Sequence, residues 1–130
     1  MICLDTSFIL DLLKEEPDTL IKVKSLAGEN LASTEINYFE VLFGIFKRQE
    51  ISQKELGIVK DFFSSIKVYH LDGPSSYNAA EIAGELSKQG LTIETNDFLI
   101  AGICLANNCK ILTKDVKHFS RIKGLKVETY

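Results

Sequence analysis

The chain has 130 residues, of which 45% are hydrophobic, so it is long enough for one domain with a buried core. Its formal net charge of −3 at pH 7 does not favour nucleic-acid binding over the whole surface. A signal peptide is not predicted, because Asp5 interrupts the first apolar run, and the longest apolar run, residues 98–106, is too short to span a bilayer. We therefore expect a cytoplasmic protein that does not enter a membrane.

The three cysteines are odd in number and have no CxxC spacing. With no secretory signal, we expect them to be reduced thiols in a cytoplasm. A structural zinc site is also not expected, because the cysteines and the two histidines lack the spacing of zinc ligands.

Short apolar runs alternate along the chain with longer patterns of helical periodicity. The apolar runs predict strands at residues 1–4, 30–34, 66–71, 109–114 and, as an edge strand, 125–130. The periodic segments predict helices at residues 6–13, 17–28, 34–48, 52–65, 75–88 and 96–106. Thr6 or Ser7 is expected to cap the first of these helices, and Pro17 fits the first turn of the second.

Strands separated by helices need crossover connections, which predict an α/β fold with a mostly parallel sheet covered on both faces. Ligand sites in such folds lie beyond the carboxyl ends of the strands. Asp5 ends the first predicted strand, and Asp115 follows the strand that contains "ILT". The two acids would lie side by side if their strands are neighbours, although each alone is also an ordinary turn residue.

Glu40 lies in the segment "INYFEVLFGIF", which is apolar nearly all round and predicts a largely buried helix. A buried carboxylate is costly unless it is paired or binds a metal. The alternative is that Glu40 reaches solvent at the edge of the helix. Gly44 lies one turn further on and is expected where another backbone or a substrate approaches closely.

Asp97 opens the apolar segment "NDFLIAGICLA". An acid in a first helical turn is favoured by the helix dipole and often acts as a cap, which is the simpler interpretation. Thr95 and Asn96 are already available as caps, however, and the helix is so apolar that its first turn is expected to face a pocket.

None of the four acids, Asp5, Glu40, Asp97 and Asp115, has an obvious basic partner in the sequence. Converging carboxylates repel one another, and a divalent cation is the simplest remedy. Oxygen ligands with hydroxyls and waters favour Mg²⁺ or Mn²⁺ over zinc. Such sites activate water and stabilise displacement at phosphorus.

Residues 110–126 contain six basic residues and one acid. This segment predicts a basic face on an otherwise acidic protein, which would suit a nucleic-acid backbone. The simpler alternative is a solvated face near the end of the chain.

The motifs "ICLDTSFILDLL", "INYFEVLFGI" and "IETNDFLIAGICLANNCKILTKDVKHFSRIKGLKV" resemble PIN domains, specifically VapC-type toxins of type II toxin–antitoxin pairs. The resemblance covers essentially the whole chain. It implies a single PIN-like nuclease domain over residues 1–130, with about five mostly parallel strands between two layers of helices. It also implies an Mg²⁺-dependent endoribonuclease, in which Mn²⁺ substitutes, with an RNA substrate, a small antitoxin partner and a homodimeric state.

The resemblance assigns roles to individual residues of this chain. Asp5 and Asp97 would be direct metal ligands, and Glu40 would orient or deprotonate the attacking water. Asp115 would bind a second metal or position water, and water attack would leave a 5′-phosphate and a 3′-hydroxyl. The hydroxyls of Thr6 and Thr113 are expected to support the acids. The RNA backbone is expected to contact Lys114, Lys117 and Arg121.

Two other classes of protein are considered. A receiver-like or phosphatase domain also keeps acids at strand ends, but "LDTS" lacks the second acid two residues after Asp5, and Glu40 has no role in a receiver. A catalytically silent PIN adapter would bind RNA or protein only, and the complete set of acids argues against it.

Overall fold

The computed structural model describes all residues, Met1–Tyr130. Five parallel strands form one sheet in the order β3-β2-β1-β4-β5. The strands are β1 (Ile2–Leu4), β2 (Leu31–Thr34), β3 (Lys67–Tyr69), β4 (Lys110–Leu112) and β5 (Val127–Glu128). The helices are α1 (Thr6–Leu13), α2 (Pro17–Ser25), α3 (Glu35–Phe46), α4 (Gln53–Ser64), α5 (Gly73–Lys88), α6 (Thr95–Ala106) and α7 (Val116–Phe119).

The sheet separates two hydrophobic cores. Ile2 and Leu4 of β1 pack into one core with α1, α3 and α4, whereas Cys3 packs into the other with α6 and α7. Successive side chains of a strand point to opposite faces, so three residues of β1 serve both cores. This confirms the predicted α/β fold with helices on both faces of a parallel sheet.

All five predicted strands and six predicted helices are present, and β5 is an edge strand as predicted. The sequence missed α7, because a helix of four residues inside a basic segment has no detectable period. No helix combines the length and the apolar composition that a bilayer span needs.

The predicted helix caps near the site are wrong. Thr6 lies inside α1, with Asp5 at the cap position, and its hydroxyl donates to Glu40 Oε1 and does not accept from a backbone N–H of the helix. Thr95 and Asn96 lie inside α6, whose cap residue makes no side-chain hydrogen bond. These side chains are used for contacts between elements, which a local capping rule does not consider.

The prediction that α3 is largely buried is also wrong. The helix buries Val41 and Ile45, but Phe39, Phe43 and Phe46 are 59%, 48% and 54% exposed. One face of the helix is enough to cover its part of the sheet, which leaves these three rings, the α3 aromatic face, in solvent. Gly44 is not closely approached by another backbone, since a Cβ there would meet nothing within 4 Å.

Helices α5 and α6 approach each other closely. A Cβ on Gly102 of α6 would lie 2.4 Å from the Ser75 carbonyl oxygen and 2.8 Å from the Ala79 backbone nitrogen. A glycine is therefore required at this crossing, which brings the first turn of α6, with Asp97, toward the sheet edge formed by β1, β2 and β4.

Candidate functional site

Asp5 lies at the centre of the sheet edge, between the last residue of β1 and the first residue of α1, and only 4% of its surface is exposed. Its Oδ1 accepts a hydrogen bond from Asn37 Nδ2 at 3.1 Å, and its Oδ2 accepts one from the Thr113 hydroxyl at 2.7 Å. Burial raises the pKa of Asp5, as do the charges of Glu40 and Asp115, while the Thr113 hydrogen bond lowers it.

Glu40 reaches the same edge from α3 and is half-buried. Its Oε1 accepts a hydrogen bond from the Thr6 hydroxyl at 2.7 Å, and its Oε2 lies 3.4 Å from Asn96 Nδ2. Neither partner is charged, so this carboxylate keeps its negative charge uncompensated within the protein.

Asp97 projects from the first turn of α6, and its side chain is 15% exposed. Burial is the main cause that raises the pKa of Asp97 to about 6, and the charges of Asp5 and Glu40 raise it further, while His118 lowers it. His118 Nδ1 lies 3.3 Å from Asp97 Oδ2. The expectation that the acids have no basic partner is thus wrong for Asp97.

Asp115 occupies the rim of the site, where it is exposed. Its backbone N–H donates to the Thr113 hydroxyl at 2.9 Å, which joins the β4–α7 turn to Asp5. The structure therefore brings Asp5, Glu40 and Asp97 close enough to interact electrostatically, and it places Asp115 beside them at the surface.

The donor set fits a hard divalent cation that keeps part of its water shell. The ligating atoms available are carboxylate and hydroxyl oxygens, which Mg²⁺ and Mn²⁺ prefer. No three His, Cys, Asp or Glu side chains are arranged to hold a metal ion on their own. A divalent cation at this site would therefore keep several waters or bind a substrate phosphate as well.

Four polar residues of the site were missed by the sequence analysis. They contact the acids or the Thr113 hydroxyl and are Ser7, Asn37, Asn96 and His118. Asn37 had a weak signal, since it lies three residues before Glu40 and so on a nearby face of the same helix. The others had none, because their partners come from other elements.

The predicted RNA-binding residues are dispersed. Lys114 pairs with Asp11 at 2.5 Å and lies over the Tyr130 ring, 5.3 Å from its centroid. Lys117 is exposed and forms no ion pair. Arg121 lines a cavity of about 780 Å³ against α5, and none of the four acids lines that cavity.

A comparison with known protein families places the whole chain. A model described as "PIN domain" matches residues 2–125. The chain belongs to the PIN-domain family. This membership excludes the receiver-like and phosphatase alternatives.

Relatives within the family are similar over nearly their full length. The chain is 29% identical over 131 residues to Ribonuclease VapC2 of Rickettsia felis, covering 98% of this chain and 96% of that protein. It is 25% identical over 127 residues to the tRNA(fMet)-specific endonuclease VapC of Shigella flexneri, with the same coverage. Among solved structures, VapBC2 from Rickettsia felis bound to a promoter DNA fragment has a TM-score of 0.87 and 26% identity, covering 100% of this chain and 99% of the other.

Proposed function

We propose that this PIN domain is a metal-dependent endoribonuclease and the toxin of a toxin–antitoxin pair. The observation that carries the proposal is the buried carboxylate of Asp5, surrounded by Glu40, Asp97 and Asp115 with no lysine or arginine among them. The VapC relatives, which are named ribonucleases, support the reaction class. Residues 1–130 act as one nuclease domain, because both hydrophobic cores pack on the same sheet.

Asp5 and Asp97 hold the cation, which is Mg²⁺ or, in its place, Mn²⁺. When bound, such a cation polarises the scissile phosphate and lowers the pKa of a coordinated water. Asp5 is already fixed through both of its oxygens by Asn37 and Thr113, so its remaining lone pairs have defined directions.

Glu40 orients or deprotonates the attacking water. The Thr6 hydroxyl holds Oε1, so Oε2, with only a 3.4 Å contact to Asn96, is the oxygen available to accept a proton. Asp115 positions water or a second cation at the rim. In-line attack by water leaves a 5′-phosphate and a 3′-hydroxyl, and no histidine is needed as the base.

The RNA backbone is held by the basic residues around α7. Lys117 is the best placed, since it is exposed and unpaired, whereas Lys114 would have to exchange Asp11 for a phosphate. Arg121 contacts the strand further from the cut. All three cysteines are free and buried, which supports a reducing compartment such as the cytoplasm.

The antitoxin partner has a candidate surface on the helices that cover one face of the sheet. A groove of about 350 Å³ lies between α1, α3 and α4, with Gly44 at its wall and Lys47 and Arg48 at its edge. We propose that an apolar segment of the antitoxin occupies this groove, with a basic tail that reaches the acids. The protein itself is a homodimer in this proposal, so light scattering of the toxin alone at micromolar concentration should give twice the chain mass of 14.6 kDa.

The test of the nuclease proposal is RNA digestion by the purified protein with Mg²⁺, with Mn²⁺ and with excess EDTA. Asp97→Asn keeps the shape of the side chain but loses its charge, and we expect a rate loss of about a hundredfold or more. Asp61→Asn is the matched control, because Asp61 is an exposed acid of α4 with no ion pair.

Full activity in EDTA, or in the Asp97→Asn variant, would contradict the metal-dependent mechanism. Binding of RNA by the wild-type protein without any cleavage would instead indicate a silent adapter. Because one relative is named for cleavage of tRNA(fMet), the substrates should include tRNA, ribosomal RNA and an unstructured RNA in parallel.

A further inference from the structure

Asn37 is completely buried beneath the acids, although its carboxamide is polar. Its Nδ2 donates to Asp5 Oδ1 at 3.1 Å and to the Thr6 hydroxyl oxygen at 3.0 Å. Its Oδ1 accepts from the Thr34 hydroxyl at 2.7 Å. One amide group therefore joins the ends of β1 and β2 to the first turn of α1.

The orientation of this carboxamide is fixed by its neighbours. Flipping the amide would place its carbonyl oxygen against the Asp5 carboxylate, where two acceptors would repel each other. The Thr34 oxygen already accepts the Asn37 backbone N–H at 3.1 Å, so its own proton is free to go to Oδ1. The NH₂ group must then face Asp5 and Thr6.

The orientation of the Asn37 amide also sets the direction of the hydrogen bond between Thr6 and Glu40. The Thr6 oxygen accepts from Asn37, so the single hydroxyl proton of Thr6 is directed to Glu40 Oε1. The chain Thr34, Asn37, Thr6 and Glu40 thus runs in one direction and ends on Glu40 Oε1. The same NH₂ group of Asn37 also donates to Asp5 Oδ1.

We propose that Asn37 is a positioning residue of the nuclease reaction. Its carboxamide orients Asp5 directly and Glu40 through Thr6, which leaves Glu40 Oε2 as the oxygen that faces the attacking water. This inference rests on the proposed function. Asn37 touches neither RNA nor cation, so its loss should lower the rate of the chemical step more than the affinity for RNA.

Asn37→Leu preserves the volume of the side chain and removes both donors. We expect kcat to fall about a hundredfold, the loss that a displacement of about 1 Å causes at a reacting centre, with KM almost unchanged. Thr6→Val interrupts the same chain at a half-buried position and should also lower kcat, whereas Thr6→Ser keeps the hydroxyl and should retain activity. Asn107→Leu is the matched control, because Asn107 also donates through Nδ2, to Ile103 O at 2.8 Å, but at the far end of α6.

The decisive measurement is a double-mutant cycle on kcat with a defined RNA oligonucleotide, accompanied by thermal melts. If the two residues act through one chain, Asn37→Leu combined with Thr6→Val should be no slower than the slower single variant, within about threefold. Multiplicative losses, a normal kcat in folded Asn37→Leu, or an equal loss in Asn107→Leu would overturn the proposal.

Two further outcomes separate a failure of this inference from a failure of the proposed function. If Asn37→Leu is unfolded at the assay temperature, Thr6→Val against Thr6→Ser decides, and equal kcat values for these two variants overturn the proposal. If the wild-type protein cleaves no RNA with Mg²⁺ or Mn²⁺, the proposed function fails and this inference fails with it. If the wild-type protein cleaves RNA and the Asn37 and Thr6 variants have the same kcat, only the positioning role is overturned.

Discussion

At the scale of single residues, Asp97 shows how the site uses unfavourable electrostatics. Burial and the charges of Asp5 and Glu40 raise its pKa to about 6, although His118 opposes the rise. In the metal-free protein, this group is partly protonated near neutral pH. A divalent cation would compete with that proton, so metal binding at this site should weaken as the pH falls toward 6.

The raised pKa predicts a pH dependence of stability. Between the ordinary value of 3.8 and about 6, Asp97 is protonated in the folded protein and ionised in the unfolded chain. The folded state then binds more protons, so the metal-free protein should gain stability as the pH falls through about 6. The measurement is urea unfolding in EDTA from pH 7.5 to pH 5, on wild type and on Asp97→Asn.

The Asp97→Asn variant should show a weaker gain over that range but not a flat line, because the pKa of Asp5 is raised in the same direction. Asp11 and Glu128 have lowered pKa values, so the stability that they contribute is lost only at lower pH. A wild-type protein that loses stability between pH 7.5 and pH 5 would contradict the raised pKa of Asp97.

Sequence reasoning at this scale found acids but not their neighbours. Asp5 and Asp115 could be predicted because each follows an apolar strand, a pattern that is local in the chain. His118 could not, since the contact that reveals it joins residues 21 positions apart, and Asn37 had only the weak signal of its place three residues before Glu40. Only the fold, which places the start of α3 and α7 at the same edge of the sheet, brings these side chains to the acids.

At the scale of elements, the crossing of α5 and α6 is the most restrictive contact. Gly102→Ala would place a methyl group against backbone atoms of Ser75 and Ala79, which cannot move without separating the helices. We expect a loss of about 1–3 kcal/mol in the free energy of unfolding, typical of overpacked sites. Because α6 carries Asp97, nuclease activity should fall as well.

Gly84→Ala is the control for this prediction. Gly84 lies in α5 with open space around its Cβ position, so alanine should stabilise the helix by up to about 1 kcal/mol. Denaturant unfolding of both variants measures the difference. Equal stability of the two variants would indicate that the helices separate easily, and would contradict the close approach.

Element boundaries could be predicted largely from local rules, but burial could not. The predicted helix starts at residues 17, 34 and 52 agree with the starts of α2, α3 and α4 to within one residue. The all-round apolar composition of α3 suggested burial, and the helix instead exposes its aromatic face. A composition rule cannot distinguish a face that packs within the chain from one that is free for a partner.

At the scale of the whole molecule, the site opposes folding until a cation binds. The ionised form of Asp5 is disfavoured in the folded state, as its raised pKa indicates. Asp5→Asn removes this charge with little change of shape, so the variant should melt at a higher temperature than wild type in EDTA. It also loses a ligand, so its response to Mn²⁺ should be much smaller.

Saturating Mn²⁺ should stabilise the wild-type protein by mass action, roughly 2.7 kcal/mol at a hundred times Kd. The measurement is a set of thermal melts of both proteins in EDTA and in Mn²⁺, with Kd taken from calorimetry. A lower melting temperature for Asp5→Asn in EDTA would assign Asp5 a structural role, in which its hydrogen bonds to Asn37 and Thr113 outweigh the repulsion.

The hydrogen bond between Asp5 and Thr113 joins residues 108 positions apart and has a consequence for protein synthesis. At about 5–20 residues per second, β1 is synthesised roughly 5–20 s before β4. Throughout that interval the central strand lacks its β4 neighbour, Asp97 is added only near its end, and Asp115 is added after β4. The nascent chain therefore has no assembled site until its last elements emerge, so an active nuclease cannot form before synthesis of the chain is nearly complete.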